Sequence, residues 1–180
     1  MAVSAGDVKQ LREKTGAGMM DCKRALDESG GEIDAAIAYL REQGMLAASK
    51  KSSREAKEGL VYSYLHQGSR IGAMIEINCE TDFVARNDAF QALARDIAMQ
   101  VAAAKPLAVD RDQISKELIE KESEILQNQA KNEGKPDHIV QRIVDGRIEK
   151  FYQETCLLEQ PFIRETYKTI QDLITDAVGK

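Results

Sequence analysis

The sequence has few of the residues on which several protein classes depend. Its 180 residues include three cysteines, two histidines, three prolines and no tryptophan. Cys22, Cys79 and Cys156 are widely spaced and none belongs to a C-x-x-C pair, so the sequence indicates neither a disulfide framework nor a zinc site. This cysteine usage fits a reducing compartment, and we expect a cytoplasmic protein.

Long apolar runs and an excess of positive charge are also missing. No stretch of about 18 apolar residues occurs, and the sequence does not open on a charged segment followed by an apolar core. We therefore expect neither membrane insertion nor export. The net charge of -5 and the pI of about 5.2 argue against general binding to a nucleic-acid backbone, which needs a basic face. A protein or a small molecule is the partner that this composition favours.

The apolar residues that are present suffice for a folded core, since 43% of the chain is hydrophobic. Residues 1–46 predict a small three-helix domain, with Ser4 and Asp7 at capping-box spacing before the first helix. Helices this short are unstable alone and must pack together. The predicted helices are separated or ended by glycines: Gly16, Gly18, Gly30, Gly31 and Gly44.

A basic stretch at residues 47–58 predicts a linker, and an α+β core is predicted at residues 59–180. The linker carries Lys50, Lys51, Arg54 and Lys57. Apolar and polar residues then alternate over 60–65 and 70–79, which predicts an antiparallel hairpin with its turn at 66–69.

The rest of the chain predicts helices that cover this sheet. One helix ends before Pro106, a charged helical region at about 112–134 is expected to project, and Pro136 begins another helix. Pro161 indicates an edge strand or an extended loop, and a last helix is predicted to include Tyr167 and Ile170. The fold class that we expect is α+β, with helices on one face of a short antiparallel sheet.

Residues 81–87 join the second strand to the next helix and place an acid beside a large aromatic ring. Asp82 and Phe83 therefore occupy a short corner between two well-anchored elements. The pattern alone favours a Phe83 ring that turns inward and fixes the corner to the core. The alternative is a ring that protrudes towards a partner.

Signatures of catalysis are sparse. The phosphate-binding G-x-x-x-x-G-K-[ST] and the nucleophile motif G-x-S-x-G are both absent, so we expect no enzyme activity and no cofactor. His66 and His138 have no ligand-type neighbours at helical spacing, so we expect no metal. Met19 and Met20 open the second helix, and they either complete the small core or form a contact surface.

Three stretches together resemble the translation elongation factor Ts family. Residues 11–26, LREKTGAGMMDCKRAL, resemble its N-terminal signature, and residues 79–87, CETDFVARN, resemble its second signature. Residues 157–162, LLEQPF, resemble a third stretch towards the C-terminal side of the family. The resemblance spans almost the whole chain in order, which makes it more specific than any single motif.

The resemblance implies a guanine nucleotide exchange factor for elongation factor Tu, with no catalytic residues of its own. In that family the three-helix domain is similar to a ubiquitin-associated fold and docks on the GTPase domain. The positions that match this contact are Arg12, Met19 and Met20.

The resemblance also implies a role for the corner. Asp82 and Phe83 match the element that intrudes near the magnesium site of the GTPase, with Thr81 and Val84 beside them. This favours a protruding Phe83 over an inward one. Residues 64–72 resemble a loop and strand of the second α+β copy in longer family members, which implies a contact of His66 with a part of the GTPase remote from its nucleotide; a simple role at the hairpin tip is equally consistent with the sequence.

One departure from the longer family members concerns the α+β unit, which they carry twice and this chain carries once. In short members a homodimer supplies the missing half, so we expect a two-fold dimer.

Three rival functions stay open: a protein-binding adaptor without exchange activity, an RNA-binding accessory protein using the basic stretch, and an acid-base enzyme using Asp82 and His66.

Overall fold

The computed structural model describes residues 3–51 and 54–179 and has the predicted α+β architecture. Two short 3-10 turns lie at Arg111–Gln113 and Leu157–Glu159. The other elements follow in this order: α1 (Ala5–Thr15), α2 (Met19–Glu28), α3 (Ile33–Lys51), β1 (Glu58–Leu65), β2 (Gly72–Cys79), α4 (Asp82–Ala85), α5 (Asp88–Ala104), α6 (Lys116–Asn132), α7 (Asp137–Thr155), β3 (Pro161–Phe162), β4 (Glu165–Thr169) and α8 (Ile170–Gly179).

The chain divides into two compact units. The first unit holds Met1–Gly59, Asn78–Leu93 and Asp172–Lys180, and the second holds Leu60–Ile77 and Ala94–Gln171. Each unit is thus assembled from separated stretches of chain. The domain boundaries expected at residues 46 and 58 stay a prediction, and residues 52 and 53 of the expected linker lie outside the described residues.

The first three helices pack against one another around an apolar core. Ser4 caps α1, because its hydroxyl accepts from the Asp7 N–H and the Asp7 carboxylate accepts from the Ser4 N–H, each at 3.1 Å. The capping box is therefore confirmed, and the Ser4 hydroxyl and N–H hold the pKa of Asp7 below its ordinary value. The core of the three helices consists of Val8, Leu11, Cys22, Ala25, Leu26 and Ala36.

Helix α3 continues to Lys51, so the predicted end at Gly44 is wrong. Gly44 lies inside the helix, where α8 approaches it closely: a Cβ on Gly179 would lie 2.8 Å from the Gly44 Cα. The Lys51 ammonium donates to the Val178 carbonyl at 2.6 Å, which holds the last turn of α3 against α8. A glycine that resembles a stop signal is thus used for close helix packing.

Strands β1 and β2 form the predicted antiparallel hairpin. The His66 N–H donates to the Ile71 carbonyl at 2.8 Å, and Gly68 adopts a φ of 88° in the turn. Side chains alternate between a half-buried and an exposed face along both strands, as the sequence pattern predicts. Helical cover over the half-buried face stays a prediction. The exposed face carries three large apolar side chains: Val61, Leu65 and Met74.

A buried amide network links α5 to β3 in the second unit. Gln100 and Gln160 are 1% and 2% exposed. The Gln100 amide nitrogen donates to the Gln160 side-chain oxygen at 3.1 Å, and its amide oxygen accepts from the Ile163 N–H at 3.0 Å. Gln160 in turn donates to the Glu154 carbonyl at 2.8 Å. Every amide group of this pair therefore has a partner, as burial of polar atoms requires.

A second small sheet, formed by β3 and β4, corrects the prediction for Tyr167. Pro161 pairs with Thr169 and Phe162 with Glu165, which confirms an edge strand at Pro161. Tyr167 lies in β4 and not in the last helix, which begins at Ile170. The segment is rich in threonine and tyrosine, and the adjacent β3 offers its backbone as a pairing partner, so strand formation is favoured over helix.

Helix α6 packs against α7, which begins after Pro136 as predicted. Whether the charged region projects stays a prediction. The contact between the two helices is apolar and uses small to medium side chains: Leu126, Ala130, Val140 and Val144.

Arg111 joins the loop before α6 to α7 and to the turn that follows it. Its guanidinium donates to both oxygens of Glu149, at 2.8 and 3.0 Å, and to both oxygens of Glu159. The same group lies 4.4 Å from the centre of the Tyr152 ring, which adds a cation–π contact. The hydrogen bonds from Arg111 hold the pKa of Glu159 below its ordinary value.

The buried amide network predicts that Gln100→Leu lowers the free energy of unfolding by about 1–3 kcal/mol, because Gln160 and the Ile163 N–H each lose a partner. Urea denaturation followed by circular dichroism measures the change. Gln91→Leu, an exposed glutamine of the same helix, is the matched control and is expected to change little. Equal midpoints for the two variants would contradict the network.

The Arg111 cluster predicts a pH-dependent stability. Because the pKa of Glu159 is lowered on folding, the pairing stabilises fully above the ordinary glutamate pKa of 4.5 and is lost as the pH falls through the lower folded value. We expect Arg111→Gln to destabilise the protein by about 1 kcal/mol at neutral pH, with the difference from wild type shrinking below that pKa.

Urea titrations at neutral and acidic pH measure this difference. Lys150→Gln removes an exposed cation of α7 that pairs with Glu154 at 3.6 Å, and it is expected to have a smaller effect. A difference between wild type and Arg111→Gln that does not change with pH would refute the assignment.

Candidate partner-binding site

Residues 81–87, which we call the corner, connect β2 to α5 and contain the single turn of α4. Buried residues anchor the corner on both sides of its exposed tip, since Cys79 and Ala85 are each 8% exposed. The Cys79 thiol donates to the Thr81 carbonyl, with 3.1 Å between the sulfur and the oxygen. The path of the backbone is therefore fixed where it leaves the strand.

Side-chain caps complete the hydrogen bonding of the corner. Thr81 has an extended backbone, and its hydroxyl oxygen accepts from the Val84 N–H at 3.4 Å. The Asn87 side-chain oxygen accepts from the Ala89 N–H at 2.8 Å, at the start of α5. The Val84 N–H also donates to the Thr81 carbonyl at 3.1 Å, so the Thr81 hydroxyl is a second acceptor for that N–H, while Asn87 supplies an acceptor at the start of α5.

Phe83 is 80% exposed, and the inward orientation that the pattern alone favours is wrong. The cause is the geometry of the turn: side chains two residues apart on a helix diverge by about 200°. Ala85 occupies the buried side of α4, so Phe83 points to the opposite side. Val84 beside it is also exposed, at 43%. A rigid corner thus presents two adjacent apolar side chains to solvent, an arrangement typical of a contact site.

Charged pairs flank this apolar tip. The Asp82 carboxylate lies 3.1 Å from the Arg86 guanidinium, and Glu80 lies 3.2 Å from the guanidinium of Arg54. The sequence did not lead us to predict either arginine as an ion-pair partner at this site. For Arg86 a signal was available, because an acid and a base four residues apart face each other on a helix. For Arg54 none was, since the pair joins residues far apart in the sequence.

The predicted docking residues lie on the first two helices, in the same compact unit as the corner. Met19 and Met20 are 55% and 70% exposed, so the alternative that both complete the small core is wrong. Arg12 is exposed on α1, and α1 packs against α2. Flexible thioethers can follow an irregular partner surface.

His66 lies at the end of β1, in the second compact unit. It is exposed, and its Nδ1 lies 2.9 Å from the Tyr64 hydroxyl. This hydrogen bond orients the ring, and the Nε2 atom of His66 takes no part in it. The structure thus groups Arg12, Met19, Met20 and the corner in one unit, and places His66 in the other.

Neither a metal site nor a membrane span is found in the described part of the chain. Residues 3–51 and 54–179 contain no group of three or more histidine, cysteine, aspartate or glutamate side chains that could hold a metal ion. Over the same residues, every helix is too short or too polar to cross a bilayer.

Comparison with known proteins gives consistent matches over the whole chain. The family model described as Elongation factor TS matches residues 8–180. Elongation factor Ts of Desulforamulus reducens is 61% identical over 178 residues, which cover 99% of this chain and 82% of that protein. Elongation factor Ts of Heliobacterium modesticaldum is 60% identical, and the match covers 99% of this chain and 83% of that protein. Elongation factor Ts of Thermodesulfovibrio yellowstonii is 56% identical, and the match covers 100% of this chain and 89% of that protein.

Proposed function

Because this chain belongs to the elongation factor Ts family, we propose that it is a guanine nucleotide exchange factor for elongation factor Tu. It promotes the release of GDP so that GTP can bind, and it catalyses no chemical reaction itself. The observation that carries this proposal is the Phe83 ring, 80% exposed on an anchored corner. The activity belongs to the cytoplasm and needs no cofactor and no direct contact with nucleic acid.

Phe83 and Asp82 act by disturbing the magnesium and phosphate region of the GTPase. Bound GDP is held by backbone donors and a lysine around its phosphates, and by a magnesium ion that requires near-octahedral geometry. A ring that enters beside this region shifts several of those ligands at once. A small displacement therefore weakens many contacts together, which is more effective than competing with any one of them.

Arg12, Met19 and Met20 supply the binding energy that holds the corner in place. Their exposure on α1 and α2 supports a docking role for these side chains. Burying one phenylalanine contributes roughly 1.5–3 kcal/mol, which corresponds to about one to two decades in release rate. Any larger acceleration must come from the docking contacts. The coupling is reciprocal, so GDP weakens the binding of the exchange factor by the same factor by which the exchange factor weakens the binding of GDP, and newly bound GTP can displace the exchange factor.

The exposed face of the β1–β2 hairpin fits the proposed homodimer. Val61, Leu65 and Met74 are 64%, 72% and 73% exposed on neighbouring strands. A two-fold axis through such a face would bury the same side chains of both copies. His66, at the tip of the same hairpin, makes the secondary contact with a part of the GTPase away from its nucleotide.

The direct test is the release of fluorescently labelled GDP from purified elongation factor Tu, with and without this protein, in a stopped-flow instrument. The proposal requires faster release at catalytic amounts of the protein. Binding without faster release would instead support the adaptor function.

Phe83→Ala is expected to slow GDP release at saturating protein by about ten- to a hundredfold, since the variant loses the intruding ring. Its free energy of unfolding should stay within about 0.5 kcal/mol of wild type, because the ring is exposed in the free protein. Tyr167→Ala removes a ring that is 77% exposed in the other compact unit, and it is the matched control. If GDP release in the presence of Phe83→Ala occurs at the wild-type rate, the proposed role of the ring is contradicted.

Met74→Lys is expected to dissociate the dimer, because it places a charge in the proposed apolar interface. Light scattering coupled to size-exclusion chromatography at micromolar concentration reports the change in mass. Ile125→Lys, a similar substitution at a residue that is 50% exposed on α6, should leave the dimer intact. Wild-type protein that elutes only as a monomer would contradict the dimer itself.

A further inference from the structure

The ion pair between Asp82 and Arg86 spans the single turn on which Phe83 stands. The two charged groups are 3.1 Å apart, and the Arg86 N–H also donates to the Asp82 carbonyl at 3.1 Å. Backbone and side chain therefore connect the same two residues. The Asp82 side chain is 46% exposed and that of Arg86 is 78% exposed, so the pair lies at the surface that the corner presents.

The surroundings of this pair are acidic. Glu80 and Asp88 flank the corner, and Glu80 has its own cation, Arg54, at 3.2 Å. The whole chain carries a net charge of -5. A carboxylate at the tip of such a surface is repelled by a diphosphate, and this repulsion acts over about 8 Å at physiological ionic strength. Neutralising the Asp82 carboxylate therefore matters most while the two proteins approach each other, before close contacts form between them.

Arg86 has the chemistry for this task. A guanidinium is always charged and has five N–H donors, of which the ion pair with Asp82 engages the Nη2 group. It can therefore hold the carboxylate and keep a hydrated positive face towards an approaching anion. An ion pair this exposed adds little to folding stability, so stability does not account for its place at the tip.

We propose that Arg86 is a positioning residue of the corner that acts through Asp82: it cancels the charge of that carboxylate while the corner approaches the phosphates of the nucleotide on the partner. This role rests on the proposed exchange function and adds a division of labour to it. Phe83 sets the maximal rate of release, and Arg86 sets the concentration of exchange factor at which half that rate is reached.

The test titrates three variants against elongation factor Tu loaded with labelled GDP, at low and at high ionic strength. Arg86→Gln should raise KM by about three- to tenfold at low salt with kcat unchanged, and the increase should shrink as salt screens the corner. Arg86→Lys keeps the charge and should restore most of the wild-type KM. Arg54→Gln removes the same charge from the neighbouring Glu80 pair, and it should change KM less than Arg86→Gln does.

Three results would overturn the assignment: a wild-type KM for Arg86→Gln, equal effects of Arg86→Gln and Arg54→Gln, or a lowered kcat at unchanged KM. Thermal melting of each variant separates these results from unfolding, because an exposed pair should barely move the midpoint. If wild-type protein does not accelerate release, the proposed function fails and this role fails with it. If the wild type is active and Arg86→Gln matches it, only the role of Arg86 fails.

Discussion

The exposure of the Phe83 ring depends on one constraint: the backbone beneath it cannot turn to bury the ring. A four-residue helical turn meets this constraint, because it follows buried Cys79 and ends at buried Ala85. The hydrogen bond from the Cys79 thiol and the cap from Asn87 fix the two ends. The proposed exchange activity depends on this arrangement, because a mobile loop would collapse onto apolar surface and lose the exposed tip.

Each compact unit gains its order from specific contacts as well as from apolar burial. In the first unit α8 packs on α3 through Gly44 and Gly179, where the lack of side chains allows the backbones to approach. In the second unit the amides of Gln100 and Gln160 satisfy one another in the interior. Buried polar pairs of this kind select one packing arrangement over others, because any slip leaves an amide unpaired.

Local sequence patterns predicted much of the fold. They failed where contacts between residues far apart in the sequence determine the structure. The hairpin strands, the capping box at Ser4 and the helix end before Pro106 follow from spacing and from residue type. The extension of α3 to Lys51 does not, because it depends on α8 far along the chain. Burial of Gln100 was likewise unpredictable, since a glutamine in an amphipathic helix resembles a surface residue until its partner is known. The outward Phe83 required the resemblance to a family as well as the pattern.

To test whether Phe83 reaches the nucleotide site, a photo-crosslinking phenylalanine analogue is placed at position 83 and the protein is irradiated together with elongation factor Tu and GDP. Mass spectrometry then identifies the cross-linked peptides. We expect cross-links to the nucleotide-binding domain of the partner, at peptides that surround the magnesium and phosphate site. Cross-links confined to this chain, or to a surface of the partner remote from its nucleotide, would contradict the proposed role of Phe83.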